Sequence, residues 1–189
     1  FIDGDAFTGL VVNPAKWVTE PFDPQRDAMM GDASPFFFRN GDNLRSVLII
    51  GTGGGSQAYL ALRGGAKLVD AVEINPTTWR LPLLDYREQT RGLMYHRGVR
   101  AYNEEGRSFV RRSPERYDVI LIHGVDTFAA LNAGAYVLAE NYLYTVNAVQ
   151  DYVNSLSDDG ILCISRWFHY AETPRLVAVS LEALSAMGI

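Results

Sequence analysis

The stretch from Ser46 to Pro76 limits what this chain can fold into more than any other part of it. Val47 to Ile50 is an unbroken apolar run, the pattern of a parallel strand buried on both faces. It stops at four glycines within five residues, Gly51, Gly53, Gly54 and Gly55. Ser56 to Arg63 has helical composition, and Gly64-Gly65 ends it. A second strand, Lys67 to Val72, closes on an acid, Glu73. Strand, glycine loop, helix, strand, acid is the layout of a nucleotide-binding crossover unit.

Each residue type in that layout has a chemical reason. Glycines let the backbone turn sharply and let a ligand approach without meeting a Cβ. The helix after the loop presents unpaired N–H groups and a partial positive charge. A carboxylate ending the next strand can accept from both ribose hydroxyls, and a hydrogen bond to a charged group contributes roughly 1.5–3 kcal/mol. Glu73 lies 22 residues after Gly51, near the ~20 expected of such an acid. Together these features point to a bound nucleoside. The dinucleotide fingerprint asks for Gly or Ala where Ser56 stands, so the loop reads better as the G-x-G-x-G of S-adenosylmethionine-type folds.

The remainder of the chain alternates strands and helices. Asn75 N-caps a helix with Pro76 at its first position, and Pro82 should kink or break it. Arg97 to Tyr102 reads as a third strand, and a short helix spans Arg107 to Arg112. Tyr117 to Ile122 is a fourth strand. A long helix over residues 140–156 has Glu140 and Asn141 as its caps. Asp158-Asp159-Gly160 turns the chain into a fifth strand, Ile161 to Ser165, and Pro174 to Met187 is the last helix. Ahead of this, Asp3-Gly4 marks an N-terminal hairpin, and an irregular lead-in holds Pro14, Pro21, Pro24 and Pro35. The aromatic cluster Phe36-Phe37-Phe38 is expected to pack beneath a loop.

This pattern predicts an α/β fold: a Rossmann-like, doubly wound, mostly parallel sheet over residues 46–189, with residues 1–45 as hairpin and lead-in. The chain opens on Phe1 and stops at Ile189 just after a helix, and is read as a piece truncated after the fifth strand and its helix. In such sheets ligands bind beyond the carboxyl ends of the strands. The polar residues expected there are Gly51 to Ser56, Glu73, Glu104-Glu105, His123, Asp126 and Arg166.

Composition narrows the function classes. A net charge of −5 over 189 residues argues against a broad nucleic-acid surface. Arg107, Arg111, Arg112 and Arg116 read as a solvated helix face. Cys163 is the only cysteine, which excludes an internal disulfide and a cysteine-cluster metal site, and it reads as a small core residue. His96 and His169 have no third ligand at metal-site spacing, so no metal is expected. No run of 18 apolar residues reads as a membrane span.

Beyond the glycine unit, the residues resemble the spermidine synthase-like (polyamine aminopropyltransferase-like) group, over most of the chain. Phe1-Ile2-Asp3-Gly4 is similar to that family's N-terminal Leu-x-Leu-Asp-Gly. Val-Leu-Ile-Ile-Gly-Thr-Gly-Gly-Gly resembles its glycine motif, and Val-Glu-Ile-Asn-Pro its ribose-binding motif. Glu105-Gly106-Arg107-Ser108-Phe109 matches Asp-Gly-x-x-Phe, and the stretch from Tyr117 to Asp126 matches Tyr-Asp-Val-Ile-x-x-Asp-x-x-Asp. The segments Glu-Asn-Tyr-Leu-Tyr-Thr-Val and Asp-Gly-Ile-Leu-Cys-Ile-Ser-Arg-Trp are similar to large bacterial spermidine-synthase-like proteins, several of which carry membrane-spanning segments elsewhere. The resemblance implies that Gly51, Thr52, Gly53, Gly55, Glu73, Ile74, Glu105 and Gly106 hold S-adenosylmethionine or its decarboxylated form as donor, with Glu105 at the adenine amino group. It implies catalytic roles for His123 and Asp126, no metal, and a small-molecule amine acceptor. It also implies a cytoplasmic domain, as a homodimer or tethered by membrane-spanning flanks.

The chain departs from the family on the amine side. His123 stands where the family has the Asp that helps deprotonate the attacking amine. Phe7 replaces a Gln, the polyamine-holding Asp-Glu-x-x-Tyr-His has no match between Val11 and Arg45, and Glu-Phe-Tyr aligns with Asn147-Ala148-Val149. Tyr142 or Tyr144 could substitute only with a rearranged loop. His123, with an ordinary pKa near 6.5, suits proton removal at neutral pH. Two functions follow: an aminopropyl- or methyltransferase, or a nucleoside-binding sensor or structural domain without chemistry. A nicotinamide-dependent oxidoreductase fits less well because of Ser56 and the lack of a separate substrate domain.

Overall fold

Five parallel strands form one sheet in the order β3-β2-β1-β4-β5. They are β1 (Ser46–Ile50), β2 (Leu68–Glu73), β3 (Val99–Asn103), β4 (Tyr117–His123) and β5 (Leu156–Ser165). The helices are α1 (Ser34–Phe38), α2 (Ser56–Arg63), α3 (Pro76–Arg80), α4 (Gly106–Arg112), α5 (Val146–Asn154) and α6 (Glu172–Ala186). This computed structural model describes residues 9–11, 23, 34–125, 142–165 and 172–189. Most of the expected N-terminal hairpin, Asp126, Glu140, Asn141 and Arg166 lie outside the described residues.

Helices on both faces explain the unbroken apolar strands. Val47 and Ile49 of β1, with Val119 and Leu121 of β4, pack with Tyr59, Leu60 and Ala61 of α2. Leu48 and Ile50, with Ile120 and Ile122, face the other way, onto Phe109 and Val110 of α4 and Ala148 and Tyr152 of α5. Fully burying one such aliphatic side chain contributes about 1.5–3 kcal/mol. Within β2 the exception is Asp70, completely buried on the α4 side. Arg100 of β3 forks onto both its oxygens at 2.6 and 2.7 Å, and the Tyr117 hydroxyl donates to it at 2.8 Å. A buried carboxylate persists because it is paired and hydrogen-bonded in this way.

A second buried carboxylate, Asp118, organises the amino ends of the strands. It accepts from the backbone N–H groups of Arg45 and Ser46 at 2.7 and 3.1 Å, entering β1. The Ser157 hydroxyl donates to it at 2.9 Å, and Arg39, which follows α1, at 3.1 Å. Arg39 also donates to Asp159 at 2.7 Å. The turn read at 158–160 is a bulge inside β5: Tyr117 pairs with Leu156 and Val119 with Ile161, so residues 157–160 all stand opposite Asp118. Burial alone would raise the Asp118 pKa, but the two backbone N–H groups, Ser157 and Arg39 together hold it down at about 2.

Several sequence expectations shift by small steps. α3 follows Asn75 as read, its side chain accepting from Thr77 and Thr78 N–H, and around Pro82 the helix gives way to a wider π turn over Leu81–Asp85. Phe36 is fully buried, whereas Phe38 stands 83% exposed. Cys163 is only partly buried, packed against the core from β5. The helix read over 140–156 is shorter. It starts at Val146, capped by Thr145, whose hydroxyl accepts from Ala148 N–H. Among the described residues no helix is long and apolar enough to cross a membrane.

Replacing the Asp118 carboxylate by an amide tests the clamp. Its depressed pKa gives stability that is complete above the ordinary carboxylate range and is lost as pH falls from about 4 toward 2. Asp118→Asn should lower the unfolding free energy at pH 7 by about 2 kcal/mol in urea titrations, and the gap to wild type should close as pH drops through that window.

Candidate nucleoside-binding site

The glycine loop leaves the carboxyl end of β1 and lies against the carboxyl end of β2 and the residues that follow β4. Gly51 and Thr52 N–H both donate to the Val72 carbonyl, at 2.8 and 3.1 Å, so the loop is docked on the end of β2. Gly53 N–H then donates to Glu73 Oε2 at 3.0 Å, and Asn75 N–H to Oε1 at 2.9 Å. Glu73 is thereby strapped between the loop and the start of α3 and is 7% exposed. Burial pushes its pKa up, against the lowering effect of the N–H groups of Asn75, Gly53 and Ile74. Ionised, its two oxygens offer about four lone-pair directions, so acceptor capacity remains beyond these backbone bonds. Ile74, beside it, is 60% exposed.

Asn103, the last residue of β3 and the register partner of Glu73, steadies this corner. Its amide donates to the carbonyls of Glu73 at 2.8 Å and Ile74 at 3.2 Å. Two residues on, Glu105 N-caps α4: Oε1 accepts from Arg107 N–H and Oε2 from Ser108 N–H, at 2.9 and 2.8 Å. Gly106 lies against Ile50, and a Cβ there would stand 2.3 Å from its Cγ2. His123 ends β4 in register with Ser165 of β5 and is partly buried.

Ligand clearance was one reason for the glycines, and the structure supplies another. A Cβ on Gly51, whose φ is +80°, would stand 2.1 Å from Val125 Cγ1. On Gly54 it would stand 2.0 Å from the Gly9 carbonyl oxygen. Residues 9–11 therefore cross the loop, with Val11 buried in the core. At these two positions chain packs on chain. Thr52 is 2% exposed, and its hydroxyl has no hydrogen-bond partner among the described residues. An orphaned buried hydroxyl is uncommon and calls for a partner.

Sequence reasoning missed Asn103 as a support, although its position at a strand end opposite Glu73 was available from the pairing of strands. It also misread Arg107. Arg111, Arg112 and Arg116 are exposed as expected, but Arg107 is 8% exposed, with Nε donating to Asp151 of α5 at 2.7 Å. Among the described residues no group of three or more His, Cys, Asp or Glu side chains is placed to hold a metal ion. An apolar groove of about 750 Å3 between β5, α5 and α6 contains none of the site residues.

Comparison with solved structures shows the fold. The chain superposes on a spermidine synthase in complex with the transition-state analogue AdoDATO with a TM-score of 0.59, at 18% identity, over 85% of this chain and 49% of that one. The fold is spermidine synthase-like. The spermidine synthase from Thermotoga maritima gives a TM-score of 0.58 at 18% identity, again over 85% of this chain and 49% of that one. A SAM-dependent methyltransferase from Agrobacterium tumefaciens gives 0.50 at 14% identity, over 86% and 51%. In sequence, a polyamine aminopropyltransferase from Clostridium botulinum is 29% identical over 121 residues, covering 64% of this chain and 39% of that protein. The chain thus spans about half or less of the length of these relatives. No protein-family profile matches it. The chain shares its fold with spermidine synthases and with a SAM-dependent methyltransferase.

The Glu73 straps are testable without any ligand. Removing the acceptor with Glu73→Ala should raise the amide exchange rates of Gly53 and Asn75 roughly 10- to 100-fold, the equivalent of a charge-assisted hydrogen bond. The amides of β1 and β4 should keep their protection in the same NMR exchange experiment.

Proposed function

We propose that this chain binds S-adenosylmethionine or its decarboxylated form at the carboxyl ends of β1 to β4 and transfers an aminopropyl or methyl group from it to an amine. The observation that carries this reading is Glu73, a buried carboxylate strapped by Gly53 and Asn75 N–H with acceptor capacity left over. A ribose hydroxyl matches that capacity. The unpartnered Thr52 hydroxyl and the exposed apolar surface of Ile74 suit the same ligand, the first as a polar contact and the second against a purine face. Glu105 keeps lone pairs beyond its capping bonds and takes the adenine amino group. The spermidine synthase and polyamine aminopropyltransferase similarities support the choice of donor.

In this reading the chain aligns rather than activates the donor. A sulfonium carbon is already electrophilic, so holding the acceptor nitrogen in line supplies much of the rate. As the nitrogen bonds to that carbon, the carbon–sulfur bond breaks and its electron pair leaves on sulfur. His123 takes the proton that the nitrogen loses. Asp126 is assigned to the acceptor's cationic end.

Calorimetric titration with both donors and their thioether products tests the binding. Wild type should bind at least one of them, and Glu73→Gln should weaken it roughly 10- to 100-fold. Affinity should fall on acidification at a pH above the ordinary glutamate range, because the carboxyl must be ionised and burial raises its pKa. Mass spectrometry of products from a panel of amines tests the transfer. His123→Ala should slow product formation by about 10²- to 10⁴-fold with donor affinity unchanged. A folded chain that binds none of the four compounds would refute the proposal, and binding without product from any amine would reduce it to a nucleoside-binding domain.

A further inference from the structure

Arg107 has a role beyond the helix face the sequence suggested. α4 and α5 pack on the same sheet face, with their amino ends at the carboxyl edge. Arg107, at the start of α4, bridges those two ends. Its backbone N–H donates to Glu105 Oε1 at 2.9 Å, while its side chain reaches α5. One terminal nitrogen donates to the Tyr142 carbonyl at 3.4 Å and to the Thr145 hydroxyl at 3.5 Å. The guanidinium carbon lies 4.5 Å from the centroid of the Tyr142 ring, a cation–π distance.

The segment over residues 142–145 is fixed from its other side too. The Tyr152 hydroxyl donates to the Leu143 carbonyl at 3.1 Å, and Tyr144 is buried. Tyr142 alone of these three stays 40% exposed while stacked on a buried cation. An aromatic ring so held, stacked on the side chain of the residue whose backbone N–H Glu105 caps, is pre-organised to receive a flat ligand at little ordering cost. Lysine could not hold it equally, because the planar fork serves Asp151 and this segment at once.

We propose that Arg107 is a positioning residue that presents Tyr142 as the outer aromatic wall of the base pocket next to Glu105. This rests on the nucleoside reading above and adds a specificity element to it. The wall covers the purine by stacking, which does not depend on the group at purine position 6, whereas Glu105 reads that group.

The two contributions separate in calorimetry on the full chain with 5′-methylthioadenosine and 5′-methylthioinosine. Tyr142→Leu should weaken both about tenfold, the usual effect of losing one base–aromatic stack. Tyr142→Phe should bind like wild type. Glu105→Gln should weaken only the adenosine compound. Arg107→Lys should match Tyr142→Leu, and the double variant should lose no more than either alone. The Tyr142 variants decide the matter if Arg107→Lys does not fold. Wild-type affinity for both probes in Tyr142→Leu overturns the inference alone; failure of wild type to bind either probe overturns the nucleoside reading with it.

Discussion

The Asp118 carboxylate sets the frame in which everything else is placed. It grips the two N–H groups that lead into β1 and sits one residue before Val119, the partner of Val47. It therefore fixes where β1 begins against β4. A one-residue slip there would turn Val47 and Ile49 toward the wrong helix layer. It would also move the glycine loop at the far end of β1 away from Glu73. The serine and arginine that complete the clamp come from the β5 bulge and the lead-in, so one carboxylate joins four parts of the chain.

At the opposite edge the same strands end in a carboxylate under the contrary influence. Asp118 is held ionised by four donors, whereas burial makes ionised Glu73 costly and its backbone donors only partly offset that. The two acids lie on the strands that flank β1, yet their surroundings push their pKa values in opposite directions.

Much of this was legible beforehand. The order of strands and helices, the Asn75 cap and the disturbance at Pro82 follow from local chemistry that a sequence displays directly. Residues joined across long separations were not legible. Nothing near Arg107 announces Asp151, and nothing near Gly54 announces that Gly9 crosses it. The Asp158-Asp159-Gly160 signal reads as a turn from the long helix into a strand at Ile161, whereas the strand already begins at Leu156. That it forms a bulge within one strand depends on Asp118, far away in sequence. Thr145 caps α5, and nothing in its immediate sequence singles it out from the other polar residues before the helix.

The pairings of β1 also differ in how much chain they enclose. Val47 meets Val69 across 22 residues on one side and Val119 across 72 on the other. Closing the longer loop costs about 1 kcal/mol more in chain entropy. The glycine loop and Glu73 both belong to the short closure, so their corner is the locally encoded part of the molecule. The long closure, which brings in β4 and His123, carries the larger entropic debt, and Asp118 stands at the point where that loop shuts.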